Sequence, residues 1–191
     1  LHIDGTVQLF GGGTDTSDTG IPPVNCAGCH GAGDNPAPPP DTQGRSDTTL
    51  RSVGAHATHV LGTADAAAVP CAECHPVPVG LNDGSHLDGT VDFTFGPLAR
   101  VGNHAPTWDP GAATCAETAC HARGGTVETP VWTQVDGTQA ACGTCHAIPP
   151  ASPHPAVGPT NCAGGGCHDS AIVGPGPTIL DPTRHVDGRF N

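Results

Sequence analysis

Few windows of this chain place apolar residues at i, i+3 and i+4, and none sustains the alternation of a half-buried strand. The strongest helical pattern covers 47–61, and single helical turns are expected around each of five Cys-His dipeptides. Elsewhere turn formers punctuate the sequence. The stretches 35–40, 149–159 and 174–177 are rich in Pro and Gly and predict ordered loops. The expected fold class is mostly irregular, with a few short helices.

Composition deepens the picture. The 191 residues include 28 Gly and 21 Pro but only 2 Trp, 4 Phe and no Tyr, too few large apolar side chains for an adequate polypeptide core. The ten cysteines suggest what replaces it. They form five pairs, each with His immediately after its second member: Cys26/Cys29 with His30, Cys71/Cys74 with His75, Cys115/Cys120 with His121, Cys142/Cys145 with His146, and Cys162/Cys167 with His168. Such a unit is the attachment site of a c-type haem, with two thioethers on the porphyrin and the adjacent imidazole on the iron.

Five disulfides would not require those histidines. With 12 His in 191 residues, five chance placements have a probability on the order of one in a million. Structural zinc fits less well still, because adjacent Cys and His are awkward joint tetrahedral ligands and no partnered H-x-x-x-H spacing occurs. Five covalent c-type haems are therefore expected, and they would themselves serve as the apolar core. Within a chain of this length, whose radius of gyration would be roughly 16 Å if compact, five macrocycles must lie close enough to exchange electrons.

Haem iron has a second axial position. The chain has no Met, Lys or Tyr, and every Cys is consumed, so histidine or water remains. Seven histidines are left for five irons: His2, His56, His59, His86, His104, His154 and His185. That near match favours bis-histidine ligation, with no position open to a substrate. His2, His86 and His185 each precede an apolar residue and Asp-Gly, a tight turn able to deliver a ring. His56 and His59 share one face if helical and so can serve two neighbouring irons. His154 occupies the corresponding loop of a second copy, and His104, without a repeat counterpart, is the expected non-ligand.

The repeat behind that comparison runs over about 26–100 and again over 142–191, with the 115–121 unit between. Each copy has a Cys-His unit, a loop carrying spare histidine, a second unit and a closing tetrad, HLDG or HVDG. The whole is read as a single pentahaem domain, 1–191. Trp108 and Trp132 flank the central unit and are expected to pack on haem.

A net charge of −12, made more negative by haem propionates, argues against nucleic acid and anionic membranes as partners and favours cationic groups or metal ions. No run is long enough to span a bilayer. The start at Leu1 and covalent haem attachment lead to the expectation of a removed secretory signal and a secreted protein, extracellular or at the cell surface, with the periplasm as alternative.

CAETACH followed by Trp132 and CGTCHAIPP, GAHATH before CAECHPVP, and the HLDG and HVDG tetrads together resemble the multihaem c-type cytochromes of metal-reducing bacteria that mix CxxCH with CxxxxCH sites. The resemblance covers most of the chain. It implies bis-histidine haems in a mostly loop fold, and long-range electron transfer to extracellular acceptors rather than enzymatic catalysis. It departs in haem count and in the wide CAGGGCH unit, whose glycines suggest a bulged attachment loop. Three functions compete: the subunit of a conductive filament, a monomeric electron shuttle, and an oxyanion reductase. The last needs an open iron and clustered cations, and the six Arg are scattered. The tetrad HIDG at His2 has no unit before it, so His2 either folds back or ligates a haem of the next molecule, which would give a head-to-tail homopolymer.

Overall fold

The computed structural model describes residues 26–78, 83–84, 86–121, 124–150, 154–155, 163 and 168–186. They are mostly loop. Among them are one α-helix, α1 (His56–Leu61), and one two-stranded antiparallel sheet of β1 (Thr107–Asp109) and β2 (Thr114–Ala116). Short 3₁₀ turns occupy Cys26–Gly28, Cys71–Glu73, Leu98–Arg100 and Pro182–Arg184. The irregular fold class expected from the sequence is what the described residues adopt.

The helix is shorter than its pattern. Of 47–61 only the last six residues are α-helical, and the rest is a run of turns. Asp47 Oδ1 accepts from the Thr49 amide at 2.9 Å and from its hydroxyl at 2.8 Å, a local bond that competes with helix formation. Gly54 then takes φ 43°, left-handed and incompatible with a continuing helix. Val53, between them, is fully buried.

The hydrophobic pattern does not predict the sheet, since three-residue strands are too short to register as alternation. Trp108 pairs with Cys115 across it, and Thr114 bridges to Val131 on the other side. The β1–β2 turn closes on Asp109, whose Oδ1 accepts from the amides of Gly111 and Ala112. The expected helical turn around each Cys-His unit holds at Cys26–Gly28 and Cys71–Glu73. At Cys115 it does not, because that cysteine lies in β2.

The buried apolar residues described are Ala37, Val53, Ala99, Ala113, Ala119 and Ile172. Four alanines, a valine and an isoleucine are far too little to hold such a chain by packing alone. No helix among the described residues is long and apolar enough to cross a membrane.

Candidate metal centres formed by histidine pairs

Each Cys-His unit is shaped by its own loop. In the first, Gly31, at φ 81°, donates to the Pro40 carbonyl at 2.7 Å, which folds the proline loop back over the unit. In the second, the His75 amide donates to the Cys71 carbonyl at 3.0 Å, and the strap 92–98 is tied down by Thr94 and Gly96 donating to Cys74 and Glu73. Glu73 Oε2 also accepts from the Leu98 amide at 2.9 Å. In the third, the two additional residues of CAETACH are absorbed by Glu117 at φ 54° and by burial of Thr118 and Ala119. The fourth is closed by the buried Thr144 hydroxyl, which donates to the Ala141 carbonyl at 2.7 Å. Of the fifth, Ala163 and His168 are described. Cys162, Cys167 and His2 lie outside the described residues, as do the glycines of the wide unit, and the Cys26 side chain is likewise not described.

Eight of the eleven described histidines meet in twos, each pair joining the histidine of one unit to a remote one. Ring centres are 6.3 Å apart for His75 and His56, 6.4 Å for His121 and His59, 6.3 Å for His146 and His185, and 6.1 Å for His168 and His154. A metal–imidazole bond of about 2 Å on each side, plus roughly 1 Å from each ring centre to its nitrogen, gives about 6 Å. Ring centres at 6.1 to 6.4 Å are therefore at the separation that two imidazoles would have if each gave one nitrogen to a shared metal atom.

Hydrogen bonding prepares the same atom on seven of the rings. The Nδ1 of His30, His56, His59, His75, His146, His154 and His185 faces a backbone carbonyl, respectively of Pro36, Val53, Ala55, Asp92, Ala147, Pro155 and Asp65. A carbonyl only accepts, so Nδ1 carries the proton and Nε2 keeps its lone pair for a metal. Burial pushes His121 down to about 4, with His59 adding to the effect. Burial likewise lowers His56, helped by His75, His59 and His30. Neutral rings are the form a metal binds.

No family model, curated protein or solved structure matches this chain. Its chemistry has to be argued from its own residues. Among the described residues no three His, Cys, Asp or Glu side chains converge as a zinc site built from side chains needs. Among the described residues no disulfide joins Cys29, Cys71, Cys74, Cys115, Cys120, Cys142 or Cys145. Cys71, Cys142 and Cys29 are exposed, whereas Cys74, Cys115, Cys120 and Cys145 are half-buried. Beside exposed Cys29 the proline loop closes on Gly31, where Asn35 and Pro36 lie against the backbone.

Burial pushes Cys74 and Cys115 up to about 11, the thiol of Cys74 also feeling Glu73, Cys120 and Cys71, and that of Cys115 feeling Cys74. At that value both thiols are protonated at neutral pH. The mutual influence of Cys74, Cys115 and Cys120 also makes the second and third units neighbours.

The remaining candidates differ. His30 faces no histidine ring among the described residues, although it lies near enough to His56 to affect it. The Nδ1 of His86 is buried without a hydrogen-bond partner. His104 has no ring opposite it among the described residues. One group that motif reading passed over is Asp41, 4% exposed, which accepts from Gln43, from the Arg45 amide and guanidinium, and from Ser52. Its signal was the turn sequence Asp-Thr-Gln-Gly-Arg, in which an Asp accepts from its own following backbone. It clamps the loop that follows the first unit.

Proposed function

We propose that this chain is a pentahaem c-type cytochrome that conducts electrons through closely spaced bis-histidine haems. The observation that carries the reading is the set of four histidine pairs at 6.1 to 6.4 Å, each joining a Cys-His unit to a distant imidazole. A metal with only two protein ligands needs the rest of its coordination sphere from another ligand, and a porphyrin tied by the paired thiols supplies it. Such a haem contributes one-electron chemistry between ferric and ferrous iron. The chain's own part is to hold neutral Nε2 lone pairs on both faces, which blocks substrate coordination and favours a conduit over a reductase.

In this reading His56 and His59 are distal ligands opposite His75 and His121, while His185 and His154 serve opposite His146 and His168. His30 awaits its partner. In the second copy the closing-tetrad histidine, His185, pairs with the first unit, and the same order in the first copy nominates His86. The other source is His2, from the same molecule or its neighbour. The neighbour's His2 would make assembly head-to-tail and the protein a secreted conductive filament; otherwise it is a monomeric shuttle.

Mass spectrometry tests the core of the proposal: five covalent haem masses are expected, and a bare polypeptide or one lacking only thiol hydrogens overturns it. Electron microscopy of His2→Ala and His86→Ala tests assembly. Loss of filaments in His2→Ala alone is expected for the filament, with assembly weakened at low ionic strength, where acidic chains repel each other more strongly. A monodisperse native monomer with all irons six-coordinate establishes the shuttle instead.

A further inference from the structure

Trp132 joins two of the histidine pairs. Its indole centre is 4.8 Å from the His56 ring at 88° and 5.4 Å from the His59 ring at 34°. One residue of α1 thus meets it edge-on and the other, one turn later, closer to face-on. The indole is firmly held. The Trp132 amide donates to Ala113 at 2.7 Å, and Nε1–H donates to the Arg51 carbonyl at 2.9 Å. The ring fills the space where a side chain on Gly54 would lie, since a Cβ there would overlap it. Gln139 fixes the adjoining Val131 from both sides, accepting from its amide at 2.7 Å and donating to its carbonyl at 2.9 Å.

The orientations matter because of the partners. The planes of His56 and His75 are 28° apart, whereas those of His59 and His121 are 65° apart. In a low-spin iron with two axial imidazoles, near-parallel rings separate the two metal d orbitals that engage them, and crossed rings leave those orbitals nearly equal in energy. Irons bound between these two pairs would have the same ligand atoms and yet be electronically different. The second copy provides internal references without a tryptophan: 14° for His154 and His168, and 77° for His146 and His185.

We infer that Trp132 is a positioning residue that holds the two α1 imidazoles in different orientations and so distinguishes two adjacent irons. The inference rests on the bis-histidine haem reading above. Its test is electron paramagnetic resonance of the oxidised, haem-loaded full chain beside haem content by mass. The native protein is expected to show both a rhombic low-spin signal and a strongly anisotropic one with a large maximal g. In Trp132→Leu about one iron's worth of intensity is expected to leave its native position with the haem mass unchanged. Trp132→Phe, keeping a ring but losing the Nε1–H bond to Arg51, should shift the same component less, and it carries the test alone if the leucine variant does not accumulate. Unchanged spectra in a variant that retains five haems, or a single signal class in the native protein, overturn the role of Trp132. Absence of haem from the native chain overturns the parent reading instead.

Discussion

The region around α1 and the region after residue 142 both bond their histidine rings to backbone carbonyls but differ in what else touches those rings. In the first, His56 and His59 come from one helix and share one indole, and four of the chain's six aromatic residues gather there, with Phe93 stacked on Trp108 at 5.2 Å and 9°. In the second, His154 is bonded to its own neighbour Pro155, and His185 follows a 3₁₀ turn and is bonded to Asp65, far away in sequence. Backbone hydrogen bonds hold rings in both regions, and around α1 aromatic packing adds a link from one pair to the next. The contrast teaches that the described residues set histidine orientation in two ways, one cooperative and one modular.

The largest effect expected from this contrast is on spin state. If the proposed haems are bound, His56→Ala and His59→Ala should each turn one low-spin iron high-spin, and together they should change potentials by an amount different from the sum, because each loosens the indole that packs on the other. His154→Ala and His185→Ala should also cost one low-spin iron each, with additive effects. Redox titration with optical and magnetic detection checks both sets. Additivity at His56 and His59 would erase the distinction between the regions.

A smaller effect separates two glycines. Gly54 (φ 43°) is covered by Trp132, and Gly176 (φ 70°) has open space where a side chain would stand. Alanine at Gly176 meets only the left-handed backbone penalty, about 1 kcal/mol. Alanine at Gly54 meets that and an overpacked indole, together about 2–5 kcal/mol. Denaturant midpoints compare them directly, and equal losses would mean that the indole does not depend on the space above Gly54.

Much of the candidate site was legible because its chemistry is local. The five Cys-His units are read from adjacent residues, and the His56/His59 spacing already implied one helical face serving two partners, as it does with His75 and His121. The pairing itself was not legible. Nothing in spacing tells that His59 meets His121 or that the His185 ring is anchored on Asp65, since those contacts are made by loops without periodicity. Helix length was overestimated for a related reason: the apolar pattern of 47–61 carries no information on the Asp47 turn or on Gly54, which takes a left-handed φ beneath the Trp132 indole. Scarcity of core, by contrast, was visible in composition and recurs as the handful of buried alanines.

The finest comparison is between two carboxylates. Asp41 is buried, and the Arg45 guanidinium and the Ser52 hydroxyl hold its carboxyl well below the usual carboxylate range. Asp169, beyond the fifth unit, is 43% exposed, as is its partner Arg184 at 44%, with 3.2 Å between them. The folded Asp41 releases its proton more readily than the unfolded one, so its contribution is fully present above about pH 4 and is lost as pH falls below that. Asp41→Asn keeps an oxygen for the amides of Gln43 and Arg45 but removes the acceptor for the Arg45 side chain and Ser52. The melting temperature of the native protein should therefore fall more steeply from about pH 5 to about pH 3 than that of Asp41→Asn, which starts lower. Asp169→Asn retains the acceptor for the Ala171 amide and loses only a solvent-screened pair, so its melting temperature at neutral pH should be indistinguishable from native. Equal losses at neutral pH would show that the loop after the first unit is no more dependent on its buried clamp than the last unit is on an exposed one.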